Sequence, residues 1–152
     1  EWDTWRNATN NDPSSNHIGV NINGSVNHGA GSPHTANIGD DTVREDGFDN
    51  GEIWHAWVDY DGTTVEVRTN QTGIRSLLPD LTRVLDLPTI LGQDDAYIGF
   101  TSGTGADHGN HDILAWEYRD EFDPVQSVPA PVTGLVFGLA LLGLSRVRQR
   151  AV

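Results

Sequence analysis

At 152 residues the chain is long enough for one domain with a real core, and 22 acidic against nine basic residues give it a net charge of −13. That balance excludes nucleic acid and anionic membrane surfaces as natural partners of the acidic part and favours cations or neutral glycans. The absence of cysteine excludes disulfides and thiolate chemistry, and 17 glycines point to a turn-rich, soluble, extracytoplasmic all-β domain.

The chain opens E-W-D-T-W-R-N-A-T-N-N-D-P-S-S-N-H, Glu1 to His17. Side chains on a strand repeat every two residues, so Glu1, Asp3 and Trp5 share one face. Asn, Asp, Pro and Ser then make a loop, which closes on His17. Glu, Asp, Asn, Asp and His thus lie within a short reach. Such acidic, Asn-rich segments are ordinarily solvated surface. As a cluster, however, hard oxygen ligands suit calcium, whereas carboxylates with an imidazole suit manganese, zinc or another transition ion.

Ile18 to Val26 alternates as a strand, and Asn27 to Asn50 is a long Gly/Asn/His/Asp-rich stretch of the kind that is functional or disordered in a compact domain. Ile53 to Tyr60 and Thr63 to Arg68 flank Asp61-Gly62, a two-residue hairpin signal of the type I′ kind. Trp54, Ala56, Val58 and Tyr60 share a face whose expected role is core packing. Val65 and Val67 alternate with Glu66 and Arg68, one face buried and one wet. Asn70 to Pro88 reads as a connector with a turn of helix at most. Ala96 to Thr101 and Asp112 to Tyr118 read as two further strands, separated by a glycine-rich loop, Ser102 to His111. His34, His55, His108 and His111 are expected in solvent. Short strands, frequent turns and no helical periodicity predict a β-sandwich or jelly roll.

Glu-x-Asp-x-aromatic-x-Asn, with Asp five residues on and His another five on, resembles the metal-binding segment of the legume (L-type) lectins. Glu1, Asp3, Trp5, Asn7, Asp12 and His17 match at every position. W-H-A-W-V-D-Y-D-G-T-T-V-E-V is similar to that family's hairpin, and Y-I-G-F-T-S-G-T-G with H-D-I-L-A-W to its last strand pair. The resemblance runs from Glu1 to about Tyr118. It implies a concanavalin-like jelly-roll sandwich, with Mn2+ or another transition ion on Glu1, Asp3, Asp12 and His17. It also implies Ca2+ on Asp3, Asn7, Asp12 and the Trp5 carbonyl. Asn7 would hydrogen-bond the sugar and Trp5 would cover its apolar face. In animal members the loop after the Thr-Gly pair offers backbone groups to mannose, which falls here on Gly105, Ala106 and Asp107. Ala106 departs from the acidic residue expected in the mannose-binding cargo receptors. His28 sits near a sugar-contacting His of those receptors. With no Met and an opening inside the motif, the chain is expected to be the later part of a longer domain whose front strands carry another sugar-binding Asp.

A lectin-like unit over 1–122 is expected to pass into a Pro-rich linker, 123–131, and a C-terminal segment, 132–152. In the last, V-T-G-L-V-F-G-L-A-L-L-G-L is expected to form a short apolar helix, followed by Arg146, Arg148 and Arg150. Thirteen apolar residues fall short of the roughly 20 that span a bilayer. Pro motif, apolar run and basic end resemble the bacterial PEP-CTERM sorting signal, with V-P-A-P for the usual V-P-E-P. That resemblance implies export, an exosortase-type sorting protease as partner and transient membrane association. It also implies a place on the outer surface or in the exopolysaccharide matrix of a Gram-negative bacterium. The expected function is metal-dependent carbohydrate binding without enzymatic activity. A structural matrix protein that keeps the metal site is the alternative. A glycosidase on the same sandwich is disfavoured because Arg6 stands where related enzymes place their second carboxyl.

Overall fold

The structure, a computed structural model, describes residues 1–29, 34–39, 47–105 and 108–126. Among the described residues, six short strands form two antiparallel three-stranded sheets. The first sheet contains β1 (Trp2–Asp3), β2 (His17–Gly19) and β3 (Thr35–Asn37) in that order, with Asp3 opposite His17 and Ile18 opposite Ala36. The second contains β4 (His55–Tyr60), β5 (Thr64–Asn70) and β6 (Leu81–Val84). A single helical turn, α1 (Leu87–Leu91), follows, its first turn capped by the Asp86 carboxylate accepting from the Thr89 amide. Among the described residues the architecture is all-β.

The core lies where the sheets meet. Ile18 from β2 joins Ile38, Val65, Val67, Leu81 and Leu85, with Val20, Ala36, Phe48 and Trp54 packed around them. Six buried aliphatic side chains contribute about 1.5–3 kcal/mol each. That is a small core among the described residues, so loops beside it need other ties. Arg83 of β6 provides one by donating to the Val20 carbonyl, just beyond β2. The Tyr60 hydroxyl provides another, donating to the Gly62 carbonyl (2.7 Å) and accepting from the Leu87 amide (3.2 Å).

The structure departs from the sequence-based expectations at several elements. The strand expected over Ile18 to Val26 ends at Gly19, because Asn23 (φ 55°) and Gly24 (φ 72°) reverse the chain, with the Ser25 amide on the Ile22 carbonyl at 3.1 Å. Two successive positive φ values are the geometry that an Asn-Gly pair favours. The β4–β5 hairpin forms where expected, but its centre is Gly62-Thr63 rather than Asp61-Gly62. The Asp61 carboxylate accepts from the amides of Thr63 (2.8 Å) and Thr64 (2.7 Å), and only Gly62 has positive φ (99°). That side-chain bonding holds Asp61 out of the left-handed region a type I′ turn would require.

The expected connector from Asn70 to Pro88 contains β6, which buries Leu81 against Val67. Trp54, just before β4, and Tyr60 at its end pack against the core, but Ala56 is exposed and Val58 is 59% exposed on this strand, which lies at the edge of the described sheet. Arg68, expected in solvent, is buried, because Asp59 (2.8 Å) and Glu66 (2.6 Å) neutralise it and the Ser76 carbonyl accepts from its Nε. Ala96 to Thr101 and Asp112 to Tyr118 form no strand; no described strand pairs with them, and Tyr97, Phe100, Leu114 and Trp116 stay exposed. His55, His108 and His111 are exposed as expected, while His34 is half-buried. No helix among the described residues is long and apolar enough to cross a membrane. The linker from 127 and the expected sorting segment 132–152 lie outside the described residues.

Candidate metal and carbohydrate site

The site grows from the register of β1 on β2. Pairing Asp3 with His17 places a carboxylate beside an imidazole on one face of the sheet. The loop between them makes a short 3-10 turn, Ala8–Asn10, and leaves it through Asn11 in the left-handed conformation (φ 58°). This turn carries Asp12 inward until it is only 4% exposed. One Asp12 oxygen accepts from the Asn7 amide at 2.6 Å, and the other stands 3.9 Å from His17 Nε2 and 3.0 Å from His28 Nδ1. The loop therefore folds back on the carboxylate it delivers.

His17 is fully buried. Its Nδ1 lies 3.1 Å from the Ser14 carbonyl, a group that can only accept, so Nδ1 carries the proton and Nε2 presents its lone pair. That Nε2 has no hydrogen-bond partner. A buried, oriented and unsatisfied imidazole nitrogen costs about 1–3 kcal/mol unless something fills it. Donor atoms of Asp3, Asp12 and His17 lie within 4.8 Å of one another, as do those of Glu1, His17 and His28. The Ser14 carbonyl does for His17 what an outer ligand does in metal proteins, fixing the tautomer and aiming the ring. Oxygen and imidazole donors around an unfilled nitrogen fit a divalent ion.

Three carboxylates converge here, and His28 answers them. Its ring is 6% exposed, Nδ1 on Asp12 and Nε2 3.1 Å from Glu1 Oε2. The Asn23-Gly24 turn brings it back, and its amide donates to the Asn10 carbonyl at 2.9 Å. Asn21 adds a bond from its carboxamide to Glu1. Gly19 leaves the room: a Cβ there would stand 3.0 Å from Glu1 Oε2 and 3.3 Å from His28 Nε2.

Glu1, Asp3, Asp12, His17 and His28 are thus gathered in one cluster. Trp5 is 61% exposed beside it, its amide donating to Asp3 at 2.7 Å, and Asn7 is exposed with a carboxamide that makes no capping bond. An exposed indole and an unused carboxamide on one loop are suited to a sugar's apolar face and hydroxyls. Gly105 lies in the exposed stretch between 96 and 118, and no hydrogen bond joins it to Trp5 or Asn7. Ala106 and Asp107 lie outside the described residues. What sequence reasoning missed is the depth at which His28 sits and the part played by Asn21 and Ser14. The Asn-Gly pair at 23–24 was the available signal, since a turn there returns the chain to the metal loop.

The Legume lectin domain family matches residues 1–132. The chain belongs to that family. The domain that defines the family is a carbohydrate-binding module and is not itself an enzyme. The chain is similar to the L-type lectin-domain containing receptor kinase SIT2 of Oryza sativa subsp. japonica, 29% identical over 122 residues, 78% of this chain and 18% of that protein. It is also similar to receptor kinase VII.1 of Arabidopsis thaliana, 31% identical over 123 residues, 79% of this chain and 18% of that protein. Receptor kinase I.8 of the same plant is 30% identical over 131 residues, 84% of this chain and 20% of that protein. This legume lectin chain spans about a fifth of the length of the curated relatives it matches.

Proposed function

We propose that this legume lectin domain binds carbohydrate through a loop set by two ions, Ca2+ and a transition ion such as Mn2+. The observation that carries this reading is the bare Nε2 of fully buried His17, facing Asp12 in a cluster with Asp3. Glu1, Asp3, Asp12 and His17 would hold the transition ion, and Asp3, Asn7, Asp12 and the Trp5 carbonyl the calcium. The ions supply positive charge that cancels the carboxylates' repulsion and stiffens the loop. Trp5 and Asn7 are then arranged before the sugar arrives, which lowers the ordering cost of binding. Gly105, Ala106 and Asp107 would contribute from the glycine-rich loop.

The Pro-rich linker and the apolar, Arg-ended tail favour export and retention at a bacterial surface or matrix, with an exosortase-type protease acting near V-P-A-P. An exopolysaccharide is then the natural glycan. The test is a glycan array on the full chain with saturating Ca2+ and Mn2+, repeated in excess EDTA. Binding that disappears with EDTA and returns with the ions is expected. Glycan binding that survives metal removal would overturn the proposal, and metal uptake with a blank array would favour a structural matrix protein.

A further inference from the structure

Within the cluster, His28 is joined to the metal loop by backbone as well as side chain. Its amide bonds Asn10, and the neighbouring Asn27 carboxamide oxygen accepts from Asn11 Nδ2 at 2.8 Å. These ties fix where the ring stands. The Asp12 carboxylate accepts from Nδ1 and so turns Nε2 toward Glu1. Nε2 then faces Glu1 Oε2 at 3.1 Å and Asn21 Oδ1 at 3.2 Å, both acceptors. Acceptor against acceptor at that distance requires a proton or a cation between them. Donors about 2.1 Å from one ion stand roughly 3.0 Å apart at right angles and 3.4 Å apart in a tetrahedron, and the separation of His28 Nε2 from Glu1 Oε2 falls in that interval.

His17 Nε2 has no hydrogen-bond partner, and its ring meets that of His28 edge-on with centroids 5.2 Å apart. Glu1 shares one donor group with both. Gly19 keeps the space between Glu1 and His28 clear of side chain.

We infer that His28 is a direct ligand of the transition ion, so that this site holds its metal with two imbedded imidazoles, His17 and His28, together with carboxylates. The inference rests on the metal-dependent reading above. Imidazole binds the later first-row ions and Zn2+ better than Mn2+. The second ring therefore moves the site's preference from Mn2+ toward Zn2+, Co2+, Ni2+ and Cu2+. It also removes His28 from any sugar contact, because its one free nitrogen is spent on the ion.

The experiment is calorimetric titration of the full chain with Zn2+ and with Mn2+ in saturating Ca2+, for the unsubstituted protein, His28→Ser and Asp12→Asn. His28→Ser is expected to weaken Zn2+ by at least about tenfold while changing Mn2+ by less than about threefold. Pulsed EPR of the Cu2+-loaded unsubstituted protein, which needs no variant to fold, is expected to show two coordinated imidazoles. A single imidazole overturns the inference. So does Zn2+ uptake that is lost in Asp12→Asn but unchanged in His28→Ser, which leaves the metal-dependent reading standing. No uptake of either ion by the unsubstituted protein overturns both.

Discussion

Replacing Gly19 with alanine separates the folding of the first sheet from the loading of the proposed transition ion. Gly19 is the last residue of β2, and its φ is not in the left-handed region, so the backbone accepts a Cβ without strain. Removing glycine's freedom in the unfolded chain stabilises by about 0.4–1 kcal/mol. Against this, the new Cβ meets Glu1 Oε2 at 3.0 Å, His28 Nε2 at 3.3 Å and Asn21 Oδ1 at 3.6 Å. Without metal, the Glu1 carboxylate is the far end of a flexible side chain, so it swings aside and the two effects nearly cancel. With metal, Glu1 and His28 are both held, and the crowding costs about 1–3 kcal/mol, as overpacked sites do. At 1.4 kcal/mol per factor of ten, transition-ion affinity should fall by about 5- to 150-fold. The paired measurement is thermal unfolding in EDTA, where Tm should move by no more than about 2–4 °C, and calorimetric Zn2+ binding, where the loss should appear. Undiminished affinity in Gly19→Ala would refute the idea that Glu1 and His28 meet at the ion.

Asp12→Asn tests the loop itself. An ion at about 100 times its Kd stabilises the folded state by about 2.7 kcal/mol, so Tm of the unsubstituted protein should rise by about 5–10 °C on adding Ca2+ and Zn2+, and this rise should vanish in the variant. Arg68→Ala removes the partner of Asp59 and Glu66 from a buried position. Because both carboxylates keep some contact with water, the expected loss is about 2–3 kcal/mol, below the full figure for a broken buried pair, measured by denaturant unfolding. Hydrogen bonds from Thr63 and Thr64 hold the Asp61 carboxyl below its ordinary value of 3.8. Its support for the hairpin is complete above pH 3.8 and is lost as pH falls through the lower folded value. Hairpin amides should therefore open more readily in acid, and Asp61→Asn should remove that dependence in hydrogen exchange.

The gathering of Glu1, Asp3, Asp12 and His17 was legible because its order is local: period two sets Glu1 and Asp3 on one face, and a short polar loop returns Asp12 and His17 to them. The β4–β5 hairpin was legible for the same reason. What escaped was set by partners distant in sequence. Arg68 alternates like a solvent-facing residue, and only the neighbouring strand, which brings Asp59 alongside, shows that it is neutralised and can be buried. His28 reads as one more loop histidine until the turn at Asn23 and Gly24 delivers it to Asp12. The stretches at 96–101 and 112–118 have strand composition, yet a strand exists only when another edge receives it, and composition does not name that edge.

β1 is two residues long and meets its neighbour at only two register positions, Trp2 with Ile18 and Asp3 with His17. Beside it, the backbone amide of Gly19 on the Glu1 carbonyl, at 3.1 Å, adds one more tie. A strand this slight opens on its own far more often than the domain unfolds. With an ion shared between Asp3 on β1 and His17 on β2, escape of the metal and peeling of the strand would become one event. Exchange of the metal would then be slow and steeply temperature-dependent, and a washed protein would keep its ions long after an equilibrium constant alone says it should lose them.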